Sequence, residues 1–319
     1  MKKIFVILVI SAIAGISLNA QSRNDVIAAY NQGAKAAQTD PATAIMAFEQ
    51  AVLLADNVGE EAADLKERIV KILPGLYVKV ALNAYNDNKP AVEVIDAAKK
   101  AVAVAENYGS ESNKANAEKI LLQGYNKMGT DFFSQNDYEN ALLAFDSLLL
   151  INPGYANALY NRALIYLRQN DSDAFEETID TFLGGLEAGK DDERIQQAST
   201  LALEYFRASG SQANQQDSLD KALVLLDKAA KYGDDKDLFY YYADVYNKQE
   251  NFEKGEEYAQ KGLDMETGDA EAKAKFYYQL AVAQAGKGNT SAACESFKNA
   301  LYGPFAEASK AQRTNLKCQ

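Results

Sequence analysis

Between Tyr125 and Pro153 the chain reads YNKMGTDFFSQNDYENALLAFDSLLLINP, and its apolar and small residues form two runs at helical spacing. Met128, Gly129, Phe132 and Phe133 share one face of the first run, and Ala141, Phe145 and Leu148 share one face of the second. Gln135-Asn136-Asp137 predicts a polar turn between them, with Asp137 accepting the orphan N–H bonds that open the second helix. Gly129 and Ala141 are small where two backbones would cross, Phe145 fills the space beside them, and Pro153 ends the second helix because it lacks the next donor. The pattern predicts an antiparallel helical hairpin with one apolar side.

Thirty-four residues after Tyr138 stands Ser172, in Gln169-Asn170-Asp171-Ser172, a near copy of Gln135-Asn136-Asp137-Tyr138. Ala163 and Tyr166 then repeat Gly129 and Phe132. The order Gly129, Phe132, Tyr138, Ala141, Phe145, Leu148, Pro153 closely resembles the tetratricopeptide repeat, a helix-turn-helix unit of about 34 residues. The resemblance implies an all-α fold, a right-handed α-solenoid of about seven hairpins with a C-terminal capping helix, because one such hairpin cannot bury its apolar face alone.

Around this centre the array is expected to fill residues 21–319 as a single domain. Residues 21–110 read as longer, divergent repeats: Gly33, Ala44, Phe48 and Ala51 mark a first hairpin, and Ala51–Gly59 reappears 50 residues later as Ala101–Gly109. Pro74-Gly75 falls inside a first helix and predicts a kink or break there. Residues 111–188 hold the best-matching repeats. Residues 189–235 form a repeat whose segment 209–216 (SGSQANQQ) reads as a polar loop insertion. In residues 236–302 Gly255 and Gly262 replace the usual alanines, and residues 303–319 form the cap, with Lys310, Arg313 and Lys317 outward.

The first 20 residues change the setting. Lys2 and Lys3, an apolar stretch from Ile4 to Leu18, and Asn19-Ala20 read as a secretory signal peptide cleaved after Ala20, which predicts an exported, periplasmic protein. The stretch is short for a membrane span, and no later one comes close, so no membrane insertion is expected. Without residues 1–20, which hold two lysines and no acid, the 33 basic and 45 acidic residues leave a net charge of −14. Such a chain is repelled by nucleic acid and anionic lipid, so no nucleic-acid partner is expected. Cys294 and Cys318 are the two cysteines; a bridge would staple the end of the array, and the alternative is a frayed C-terminus.

The chain has no histidine, which removes the usual general base and the commonest metal ligand. Gly286-Lys287-Gly288 lacks the remainder of a phosphate loop, and Asp191-Asp192-Glu193 and Asp234-Asp235 lack calcium-loop spacing. No enzyme activity, cofactor or metal is expected. There are 19 tyrosines and no tryptophan. By the geometry of the family, the face lining the concave groove would include Asn126, Lys127, Tyr160, Asn161, Arg168, Tyr240, Tyr241, Asn247, Lys248, Tyr278 and Gln279. Tyrosine supplies apolar area with a hydrogen-bonding tip, and Asn and Gln can pair with a peptide backbone. Asn161 is placed like one member of the family's carboxylate clamp, but Asn126 and Thr130 stand where that clamp needs Lys and Asn, so recognition of a C-terminal carboxylate is not expected. The resulting expectation is a non-catalytic scaffold holding a protein or extended peptide, for instance in an envelope assembly or secretion complex; the alternative is a binding module for a glycan or small peptide.

Overall fold

The structure is a computed structural model that describes residues 22–319, so the expected signal peptide lies outside the described residues. The described residues form fifteen α-helices and no strand. They divide into two compact units that part between Pro153 and Gly154. The first unit holds α1 (Arg23–Ala36), α2 (Pro41–Val58), α3 (Ala63–Asn86), α4 (Ala91–Asn107), α5 (Glu111–Ser134) and α6 (Tyr138–Ile151). The second holds α7 (Ala156–Gln169), α8 (Ser172–Gly184), α9 (Asp192–Gln215), α10 (Leu219–Ala230), α11 (Lys236–Lys248), α12 (Phe252–Met265), α13 (Ala270–Gly286), α14 (Thr290–Asn299) and α15 (Ala306–Asn315). Consecutive helices pair as seven antiparallel hairpins, α1/α2 to α13/α14, and α15 follows as the expected cap.

One turn design recurs. Asn88, Asn136, Asn170, Asp217 and Glu250 each adopt the left-handed conformation, with φ between 52° and 59°, just after the first helix of their hairpins. That conformation lets the chain turn back on the helix end: the N–H of Asn136 reaches the Phe133 carbonyl, and the N–H of Asp137 reaches the Phe132 carbonyl, both at 3.0 Å. In two of these turns the following aspartate then opens the next helix. Asp137 accepts from the Asn140 N–H at 3.2 Å and Asp171 from the Ala174 N–H at 3.1 Å. A three-residue turn thereby closes one helix and caps the next.

Within the hairpins the small-to-aromatic fit is as the spacing predicts. A Cβ on Gly129 would lie 2.5 Å from the Phe145 ring, and one on Gly33 would lie 2.8 Å from Phe48. Phe48 and Phe145 are fully buried, each in the gap that its glycine leaves.

Two expectations about the helices are corrected. Residues 209–216 are not a loop: α9 runs unbroken to Gln215, and Gly210, Ser211, Ala213 and Asn214 are buried. A Cβ on Gly210 would come within 2.8 Å of Leu226, so this stretch packs closely on α10 despite its polarity. Of the kink or break expected at Pro74-Gly75, the break does not occur: α3 runs through, with Pro74 buried beside Leu73 and Leu76.

At the C-terminus Cys294 and Cys318 are joined, with Cα atoms 5.6 Å apart, so α14 is tied to the residues after α15. Lys310 and Lys317 face outward as expected. Arg313 instead turns back, donating to the Cys294 carbonyl and, at 3.0 Å, to the Gln319 carbonyl.

Candidate functional site

In the second unit α11 packs against both α9 and α13, so the first helices of three successive hairpins lie side by side. Six of the residues expected in the groove fall on α11 and α13: Tyr240, Tyr241, Asn247, Lys248, Tyr278 and Gln279. Two unexpected residues, Asn214 on α9 and Asp244 on α11, bind them into one network. Asp244 accepts from Asn214 Nδ2 at 2.5 Å and from Gln279 Nε2 at 2.8 Å, and pairs with Lys248 Nζ at 3.2 Å. Lys248 Nζ also donates to Asn214 Oδ1 at 2.8 Å. Asn247 Nδ2 donates to both the side-chain and backbone oxygens of Gln279 at 2.9 Å.

The network sorts the residues into floor and surface. Asn214, Asn247 and Gln279 are buried, and their amide N–H groups donate to neighbouring repeats, while the buried Asn247 Oδ1 has no partner among the described residues. They fix the spacing of three helices and leave little for a ligand. Above them Tyr240 and Tyr241 meet edge to face, with centroids 5.2 Å apart, and Tyr240 stands perpendicular to Phe276 at 6.2 Å. Lys275 Nζ lies 5.5 Å from the Tyr240 ring centroid. Burial, and then the Asp244 charge, push the Tyr240 phenol up to about 12, against an opposing hydrogen bond from Gln279. The same two causes raise Tyr278. Both phenols therefore remain neutral donors near pH 7. Tyr278 is also a packing residue, wedged between Phe297 at 5.7 Å and Phe305 at 5.4 Å.

The other expected groove residues lie elsewhere. Tyr160, half-buried on α7, packs on Phe182 at 5.3 Å and, with Asn157, Arg194 and Gln197, lines a cavity of about 160 Å³. Asn161 is half-buried and Arg168 exposed on the same helix. Asn126 and Lys127 sit on α5 in the first unit, where Lys127 pairs with Asp131 at 3.4 Å and the buried Asn126 Oδ1 has no hydrogen-bond partner. Asn214 escapes sequence reasoning because its segment reads as a loop. Asp244 escapes it because it follows a packing alanine, and a carboxylate there has no local signal; its partners come from helices about 30 residues away on either side. No group of three or more His, Cys, Asp or Glu side chains gathers as a metal site among the described residues.

Residues 126–192 match the family model of the tetratricopeptide repeat. These residues of the chain are tetratricopeptide repeat sequence. The matched stretch covers the end of α5 through the start of α9, so the network on α9, α11 and α13 lies beyond it. No curated protein matches the chain. Among solved structures, a tetratricopeptide repeat protein from Parabacteroides merdae is 14% identical, covering 92% of this chain and 99% of its own, with a TM-score of 0.30. YrrB, described as a tetratricopeptide repeat protein with an unusual peptide-binding site, is 18% identical over 59% of this chain and 91% of its own, with a TM-score of 0.36. A MamA protein is 19% identical over 62% and 96%, at 0.34. These scores place neither a site nor a partner on this chain.

Proposed function

We propose that this chain is a non-catalytic scaffold that holds a protein segment or extended peptide on the face formed by α9, α11 and α13. The observation that carries the reading is the inter-repeat network of Asn214, Asp244, Lys248, Asn247 and Gln279 beneath Tyr240 and Tyr241. A floor locked by hydrogen bonds presents rigid aromatic groups, which give contact area at small entropic cost. Lys248 and Asp244 add one ammonium and one carboxylate at its edge. The working contact set is thus Tyr240, Tyr241, Asp244 and Lys248, with the amides as its support.

Residues 1–20 are proposed as an export signal cleaved after Ala20, which would place the scaffold in the periplasm, in an envelope assembly or secretion complex. N-terminal sequencing of the protein recovered from fractionated cells checks this part; a mature chain that retains residues 1–20 in the cytoplasm overturns it.

The binding claim is tested by isolating the endogenous protein from gently lysed envelope, identifying what co-migrates, and repeating the isolation with a Tyr240→Ala/Tyr241→Ala variant of unchanged melting temperature. Loss of a reproducible partner in the variant supports the face as the site. Retention of the same partner overturns it.

A further inference from the structure

A cavity of about 410 Å³ opens in the second unit between hairpins α7/α8 and α9/α10. Its volume falls within the roughly 300–1,000 Å³ of small-molecule sites. Its wall on α9 is the stripe Tyr205, Ser209, Gln212, Gln216, at the spacing of one helix face. Asn170 and Ser172, from the turn between α7 and α8, face that stripe, and Leu225 and Lys221 of α10 complete the lining. The same serine and glutamines made residues 209–216 read as a loop. Gln212 and Gln216 reach solvent at the mouth and Ser209 is half-buried below them, so the stripe lines a wet, open cavity.

The lining is distinct from the network on α9, α11 and α13. There the amide N–H groups donate to Asp244 and Gln279. Here, among the described residues, no hydrogen bond or ion pair to another protein group engages the side chains of Tyr205, Ser209, Gln212, Gln216 or Lys221. Tyr205 is nonetheless held in place, its ring edge-on to Phe175 at 5.0 Å and to Phe206 at 5.1 Å. Lys221 is the one charged side chain of the lining among the described residues, while the Asp171 and Asp173 carboxylates stand behind it, close enough to act on the Tyr205 phenol. Hydroxyls and primary amides are donors and acceptors at once, the complement of a ligand rich in neutral hydroxyls, and an aromatic wall suits the C–H face of a sugar ring.

We propose that this cavity is a saccharide-binding site, taking a neutral mono- to trisaccharide unit against Tyr205, with Ser209, Gln212 and Gln216 bonding its hydroxyls. It stands independently of the peptide-binding face, from which none of its residues is drawn.

The test is calorimetric titration of the mature chain with maltotriose, cellotriose and triacetylchitotriose in turn. At least one is expected to bind with a dissociation constant at or below about 1 mM. Gln212→Ala and Gln216→Ala, both at exposed positions, should weaken that binding tenfold or more together, with the melting temperature unchanged. Absence of binding by all three sugars overturns the proposal. So does binding that survives both glutamine substitutions, or that Tyr240→Ala abolishes instead. Displacement of the sugar by a neutral Gly-Ser hexapeptide at equal concentration would also overturn it, by making the cavity a peptide site.

Discussion

Gly255 lies so close to Asn247 that a Cβ built on it would stand 2.1 Å from Asn247 Oδ1 and 2.8 Å from Cγ. The bare backbone of α12 is what allows the Asn247 amide to lie between α11 and α12 and reach Gln279 on α13. The glycine that departs from the alanine of the family pattern is thus matched to the asparagine. Two effects compete in Gly255→Ala. The helix gains about 1 kcal/mol in propensity, and the displaced amide and overpacking cost about 1–3 kcal/mol. The substitution should therefore destabilise the protein by about 1 kcal/mol, and should become stabilising by a similar amount in an Asn247→Ala background. Urea unfolding of the four members of this cycle checks the coupling. Equal effects of Gly255→Ala in both backgrounds would break the proposed link.

Glu250 is the odd residue among the recurring turns. It adopts φ 59°, as Asn88, Asn136 and Asn170 do, but its longer side chain lacks the local hydrogen bonding that suits asparagine to that region. Left-handed backbone costs a residue other than glycine about 1–2 kcal/mol, part of which glycine gives back as unfolded-state entropy. Glu250→Gly should stabilise by roughly 0.5–1 kcal/mol, and Asn136→Gly by much less. The difference in urea midpoints between the two variants reads the strain at position 250 directly.

The contrast between α5/α6 and α9 explains how much of the fold is legible in the sequence. Gly129, Ala141, Phe145 and Pro153 act through local spacing, so the hairpin, its turn and the count of seven hairpins follow from the residues themselves. The polar stretch 209–216 gives the wrong signal, because serine and glutamine on a helix lining a cavity have the composition of a loop. The site is legible as a set of aromatic and amide residues on α11 and α13. Its division into floor and surface is not, because Asn247, Gln279 and Asn214 are committed by contacts between repeats, and spacing within one repeat carries no trace of a bond to the next.

The disulfide between Cys294 and Cys318 closes a loop of 24 residues at the end of the array. In the chain-entropy account, a loop of this length restrains the unfolded state by about 3 kcal/mol. Because the bridge holds the residues after α15, its loss should be felt first at the cap. Cys318→Ser is expected to lower the local stability of the cap by about 2–3 kcal/mol, speeding amide exchange in α15 and α14 while exchange in α11 is unchanged. Exchange that accelerates uniformly across the second unit would show that the cap is no separate unit of stability.

Glu266 is a buried carboxylate, 7% exposed, and its two oxygens are divided between Lys236 Nζ and the Gly268 N–H, both at 2.8 Å. These partners, the lysine first, hold its pKa below the ordinary glutamate value despite burial. The sign follows from linkage. With the folded value depressed, the contribution of Glu266 is complete above the unfolded value of about 4.3 and is lost as the pH falls through the folded one. Other carboxylates are depressed too, Asp64 beside Arg23 to about 2, so acid weakens the protein with or without Glu266. Glu266→Gln isolates its share. At pH 7 the variant should melt below the wild type, because a neutral amide replaces the partner of Lys236, and the gap should narrow as the pH drops below about 4.3. A gap that stays constant from pH 7 to pH 3 would mean that the carboxylate stabilises by packing, with its charge contributing nothing.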